Sequence, residues 1–145
     1  MTDPADAPPR ILLVEDDAAI EALLRQILED EGFAVSSHSD LRGARAAVDA
    51  DALPDLAVID YQLPDGLGTD LCRRLRSRGV PCVVVSAYSR SLEPAIEVKA
   101  DAWIAKPFEM GDVVNAVREL LTPSGALVSR LGKPGDPPKV LRLEP

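Results

Sequence analysis

Short apolar runs alternate with stretches of helical periodicity along most of this chain. The runs at 10–15, 33–37, 55–60, 81–86 and 101–105 read as strands, the second being the weakest. The stretches 17–31, 41–50, 68–78, 90–99 and 109–121 read as helices. Ile20, Leu23, Leu24, Ile27 and Leu28 recur at the spacing of one helix face, as do Val113, Val114, Val117, Leu120 and Leu121. Leu41, Ala44, Ala47 and Val48 form a similar stripe. The punctuation agrees: Asp17 and Asp40 stand where helix N-caps belong, and Gly32 and Gly79 where helices stop. Pro54 breaks the chain before a strand, and 62–66 carries turn residues. The stretch 90–99 is the least regular, because Pro94 is tolerated only in a first turn.

Five strands alternating with five helices imply parallel βαβ units with right-handed crossovers. Residues 11–14, 56–59 and 82–85 are apolar on both faces, as strands buried between two helical layers should be. The expected fold is therefore α/β: a three-layer, doubly wound (βα)5 arrangement of the flavodoxin-like kind, with a five-stranded parallel sheet over 10–121. In such sheets, sites form outside the carboxyl ends of strands, near the point where strand order reverses. Residues 1–9 hold Asp3, Asp6 and three prolines and read as a flexible leader, not a secretory signal. Residues 122–145 are rich in proline and glycine. Arg130, Lys133, Lys139 and Arg142 outnumber Asp136 and Glu144 there, and the segment reads as a flexible tail.

A length of 145 residues suits one such domain. Aromatic residues make up only 3% of a chain that is 46% apolar, so the core must be built from Ala, Val, Leu and Ile. The formal net charge of −8 argues against nucleic acid as a direct partner, since phosphate backbones need Lys and Arg. No apolar run approaches the roughly 18 residues of a membrane span. Cys72 and Cys82, the two cysteines, sit in apolar contexts; they read as buried free thiols, which fits a reducing cytoplasm.

The chemistry lies at four strand ends. Glu15 and Asp16 follow the first apolar run, Asp60 ends the third, Ser86 the fourth, and Lys106 follows the fifth. In a parallel sheet all of these emerge at one edge. Clustered carboxylates repel unless a cation joins them. Oxygen ligands with incomplete protein coordination suit Mg²⁺. Asp60 is then a candidate nucleophile for a phosphoryl group. A Ser86 hydroxyl and a Lys106 ammonium suit phosphoryl oxygens. Singly, each has a plain explanation: helix capping for 15–17, a turn for Asp60, an ordinary surface lysine for Lys106. Jointly they form the parts of a metal-assisted phosphoryl acceptor.

At these residues the chain resembles the receiver domain of two-component response regulators, over 10–121. The marks are Val14-Glu15-Asp16-Asp17, Asp60 with Leu63-Pro64 and Gly68 after it, Ser86-Ala87, and Lys106-Pro107-Phe108. The resemblance implies that Asp60 accepts a phosphoryl group from a histidine kinase or a histidine phosphotransfer protein. It implies Mg²⁺ held by Glu15, Asp16, Asp60 and the backbone carbonyl of Gln62, and a cis Lys106-Pro107 bond. Ser86 and Lys106 match the phosphoryl-binding positions, and Trp103 matches an aromatic switch. That switch would report to a downstream protein on the face built from 90–99, 101–105 and 109–121, where a second copy of the chain is a further candidate partner. Gln62 and Tyr88 stand where the family tunes hydrolysis of the aspartyl phosphate. Two departures stand out: Trp103 replaces the usual Tyr or Phe, and Lys99 replaces the usual glycine before Ala100.

The expected function is a phosphorylation-controlled binding module, a stand-alone receiver and not an enzyme beyond its own phosphorylation and slow dephosphorylation. A receiver belonging to a larger regulator or hybrid kinase is one alternative. A flavodoxin-like cofactor binder is another, but Glu15-Asp16-Asp17 would repel the phosphate of a flavin nucleotide. A small Mg²⁺-dependent phosphatase would want a second acid two residues after its nucleophile, where this chain has Gln62.

Overall fold

A computed structural model describes residues 7–50, 53–86, 101–105, 108–121 and 139–141. In chain order the elements are β1 (Arg10–Val14), α1 (Ala18–Asp30), β2 (Ala34–His38), α2 (Leu41–Ala50), β3 (Leu56–Asp60), β4 (Gln62–Leu63) and β5 (Gly66–Leu67). Then come α3 (Gly68–Arg76), β6 (Cys82–Ser86), β7 (Ala102–Ala105), α4 (Met110–Leu121) and β8 (Lys139–Leu141). The expected helix at 90–99 lies outside the described residues.

The main sheet runs β2-β1-β3-β6-β7-β8, and every pairing in it is parallel. The chain steps one way from β1 to β2, then returns past β1 to β3 and continues the other way. Strand order therefore reverses between β1 and β3. The five expected strands are all present, and β8 adds a sixth. It pairs Lys139–Leu141 with Ala102, Trp103 and Ile104 on the outer side of β7. The tail composition hid it, because three residues between prolines and charges give no strand signal, whereas the free backbone groups of a sheet edge will pair with any extended segment.

β1, β3 and β6 are buried almost throughout, which their double-sided apolar sequences require. One face of the sheet packs Leu12, Val14, Ala57, Ile59 and Val84 against Leu41, Ala44 and Val48 of α2 and Leu71 and Leu75 of α3. The other packs Ile11, Leu13, Val58, Val83 and Ile104 against Leu24 and Leu28 of α1 and Val113 and Val117 of α4. α1 starts where expected: the Asp17 carboxylate accepts from the Ala19 N–H at 2.9 Å and the Ile20 N–H at 3.0 Å. It stops at Gly32, whose φ of 96° only a residue without a Cβ adopts readily, and the Phe33 N–H folds back onto the Leu28 carbonyl. Across the second layer, Arg118 of α4 pairs with Glu31 at the end of α1. Asp101 ties the start of β7 to its neighbours by accepting from the Cys82 N–H at 2.8 Å and pairing with Arg76 of α3.

Both cysteines are free and buried, as expected. The neighbouring Cys72 thiol and burial together push the Cys82 thiol well above the ordinary cysteine range.

Candidate functional site

Three chain segments converge on one cleft at the carboxyl ends of β1, β3 and β6. β1 delivers Glu15 and Asp16, and the register of β1 on β3 aligns Val14 with Ile59, so Asp60 arrives one step further along. β6 pairs Val85 with Asp60, which sets Ser86 beside it. The cleft, roughly 390 Å³, is lined by Glu15, Asp16, Asp17, Asp60, Gln62, Leu63, Pro64 and Ser86. Carboxylate oxygens of Glu15, Asp16 and Asp60 all lie within 4.8 Å of one another. Glu15 and Asp60 are buried, 3% and 7% exposed, while Asp16 faces solvent. Ser86 is buried at 1% exposure.

The three consecutive acids divide their labour. Asp17 spends its carboxylate on the first turn of α1, and its own N–H reaches Glu15 Oε1 at 3.2 Å. The Glu15 backbone is fixed in turn by its N–H donating to the His38 carbonyl at 3.0 Å. Glu15 and Asp16 are the two that meet Asp60. At an effective dielectric constant of about 20, two carboxylates about 5 Å apart repel by roughly 3 kcal/mol. All-oxygen donors with room for water between them are the donor set of a hard divalent cation, Mg²⁺ above all.

The loop after Asp60 is held close. Tyr61 N–H donates to the Val85 carbonyl and Gly68 N–H to the Tyr61 carbonyl, each at 2.7 Å. Gln62–Leu63 and Gly66–Leu67 form a two-stranded antiparallel hairpin where the sequence promised only a turn. It lays Gln62, Leu63 and Pro64 along the cleft wall. The expected ligand position at the Gln62 backbone is thus at the site.

The geometry brings together Glu15, Asp16, Asp60, Gln62 and Ser86. Tyr88, Lys106 and Pro107 lie outside the described residues. The Trp103 backbone pairs with Val84 on one side and Val140 on the other; its side chain lies outside the described set.

Residues 11–118 match the response regulator receiver domain family. The chain is a receiver domain of that family. Among curated relatives it is similar to the alkaline phosphatase synthesis transcriptional regulatory protein SphR of Synechococcus elongatus, 36% identical over 97% of this chain and 58% of the relative. It is also similar to the phosphate regulon transcriptional regulatory protein PhoB of Rhizobium meliloti, 37% identical over 78% of this chain and 52% of that protein. The receiver thus spans little more than half the length of these relatives. Among solved structures, a CheY-like receiver domain protein from Methanospirillum hungatei superposes with a TM-score of 0.72 at 31% identity, covering 79% of this chain and 94% of that one. The receiver is a two-component signalling module, and its relatives are bacterial regulators. Several, such as MtrA of Mycobacterium leprae, are named as DNA-binding, a partner class that the acidic composition of this chain had argued against.

Sequence reasoning missed Asp65. Its carboxylate accepts from the Leu41 N–H at 2.8 Å and the Arg42 N–H at 2.9 Å, at the start of α2. No local signal could reveal a bond across more than twenty residues. Among the described residues, no helix is long and apolar enough to cross a membrane.

Proposed function

We propose that this receiver takes a phosphoryl group onto Asp60 from a histidine kinase or histidine phosphotransfer protein, and that the modified form changes its protein contacts. The observation that carries the reading is the meeting of Glu15, Asp16 and Asp60 oxygens within 4.8 Å, in a cleft that Ser86 also lines. A carboxylate oxygen of Asp60 attacks phosphorus, the bond to the donor imidazole nitrogen breaks, and the leaving imidazole keeps the electron pair and takes up a proton. Glu15, Asp16, Asp60 and the Gln62 carbonyl would hold Mg²⁺, which when bound offsets the negative charge of the transferring group. Ser86 donates its hydroxyl to a phosphoryl oxygen, and Lys106 supplies a cation to another. In this reading positioning and charge carry the chemistry, and the protein acts as a switch and not as a turnover enzyme.

In this reading Trp103 and Ser86 relay the modification to the face formed by β7 and α4, where a downstream protein or a second copy docks. Gln62 and Tyr88 set how fast water reaches the aspartyl phosphate. Two free buried thiols suit work in a reducing cytoplasm. A second reading is favoured by the length and names of the relatives: this receiver belongs to a larger regulator that binds DNA, since the MtrA proteins, about twice the matched length, are named DNA-binding response regulators.

Incubation with acetyl phosphate and Mg²⁺, followed by intact mass, tests the core claim. One phosphoryl group should be gained, and Asp60→Asn or chelation of the metal should abolish the gain. Labelling that survives in Asp60→Asn would sink the assignment.

A further inference from the structure

We propose that Asp65 is a positioning residue for the metal and phosphoryl site, acting through the backbone of the hairpin that carries Gln62. The metal half of this proposal rests on the phosphoacceptor reading above. A helix begins with N–H groups that lack partners within the helix. In α2 the residue just before the helix is Asp40, and its side chain accepts from the Gly43 N–H at 2.8 Å. The Leu41 and Arg42 N–H groups go instead to the two separate oxygens of Asp65. A turn-forming aspartate spends its carboxylate mainly on its own turn. Here both oxygens reach a helix in a different βα unit, and the carboxylate cannot rotate without breaking a bond.

Asp65 stands at the tip of the β4–β5 hairpin, and the opposite end is closed by the Gly68 N–H on the Tyr61 carbonyl. The hairpin is therefore pinned at both ends, with Gln62 between them and one residue from Asp60's neighbour Tyr61. The Leu41 N–H, with help from that of Arg42, also holds the Asp65 carboxyl below its ordinary value, so both oxygens act as charged acceptors near neutral pH. Releasing the tip would let the Gln62 carbonyl wander relative to the three carboxylates, as loss of a supporting shell does at other metal sites.

The test compares Asp65→Ala, Asp65→Asn and Asp40→Ala in the full chain. Asp40→Ala removes a cap from the same helix without touching the hairpin, so it controls for general weakening of α2. Two readouts are taken: Mg²⁺ affinity by calorimetry, and amide exchange of 62–67 without metal. Asp65→Ala should weaken Mg²⁺ binding roughly tenfold and speed hairpin exchange. Asp65→Asn, which keeps one acceptor oxygen, should fall between it and the parent. Asp40→Ala should lower thermal stability while leaving both readouts near the parent values. Unchanged hairpin exchange in Asp65→Ala overturns the clamp, as does an equal loss in Asp40→Ala. A parent protein that binds no Mg²⁺ overturns the phosphoacceptor reading and the metal half of the proposal, while the exchange data still decide whether the clamp exists.

Discussion

A methyl group at position 68 would lie 2.0 Å from the Asp60 carbonyl oxygen and 2.6 Å from Ile59 Cγ2. Neither neighbour is free to move: Ile59 is fully buried, and the Asp60 backbone belongs to a central strand. Glycine at 68 is therefore the condition for α3 to start directly against the strand that carries Asp60. Gly68→Ala should destabilise the fold by about 1–3 kcal/mol, the usual range for overpacking a tight site. It should also weaken Mg²⁺ binding, because the strain falls on Asp60 itself. Urea unfolding with and without Mg²⁺ measures both; a midpoint within error of the parent would show that α3 can slide away at little cost. Glu21 shows the same economy elsewhere: its carboxylate accepts from the Ser37 hydroxyl at 2.6 Å and from Arg25 Nε at 2.8 Å, tying α1 to β2. The Ser37 bond is the chief reason its carboxyl titrates below the ordinary value. A lowered folded value means that stability is present above the ordinary 4.5 and is lost as pH falls through the lower folded value. The stability gap between the parent and Ser37→Ala should hold at neutral pH and narrow as pH falls below 4.5.

At the scale of elements, what could be read beforehand was whatever a local pattern encodes. Apolar runs on both faces marked β1, β3 and β6, and their polar ends marked Glu15, Asp60 and Ser86, because a parallel sheet brings successive strand ends to one edge. Asp17 and Gly32 announced the ends of α1. What escaped depends on contacts distant in sequence. The hairpin of β4 and β5 needs only two pairs, too few to leave a pattern. Asp40 caps α2 locally, as its position suggests, but Asp65 caps the same helix from another unit. β8 has no periodicity of its own and exists through β7. Among the described residues β8 is three residues long, lies at the edge of the sheet and pairs with β7 alone. The β8 pairing should therefore be weakly held. Val140→Pro removes a backbone donor from it and should speed amide exchange in 102–104 several-fold, while β1 and β3 keep their protection. Identical exchange in β7 would mean that the pairing contributes nothing in solution.

Over the whole molecule, the site is a concentration of like charge that a bound cation would offset. Glu15, Asp16 and Asp60 concentrate charge in a protein that already carries −8. A ligand that binds only the folded state stabilises it by RT ln(1 + [L]/Kd), about 1.4 kcal/mol at ten times Kd. For a domain of this size that corresponds to a rise in Tm of about 4–6 °C. Mg²⁺ should produce this rise, and a chelator should reverse it. Asp16 separates this effect from general screening of surface charge. It is exposed, so replacing it should disturb packing little. Asp16→Asn should raise metal-free stability slightly, by less than about 1 kcal/mol, and should remove most of the Mg²⁺ increment. Asp30→Asn, on the exposed end of α1 away from the cleft, should leave the increment intact. Equal Mg²⁺ responses in the two variants would assign the effect to screening across the surface, and the three carboxylates would lose their claim to be one binding unit.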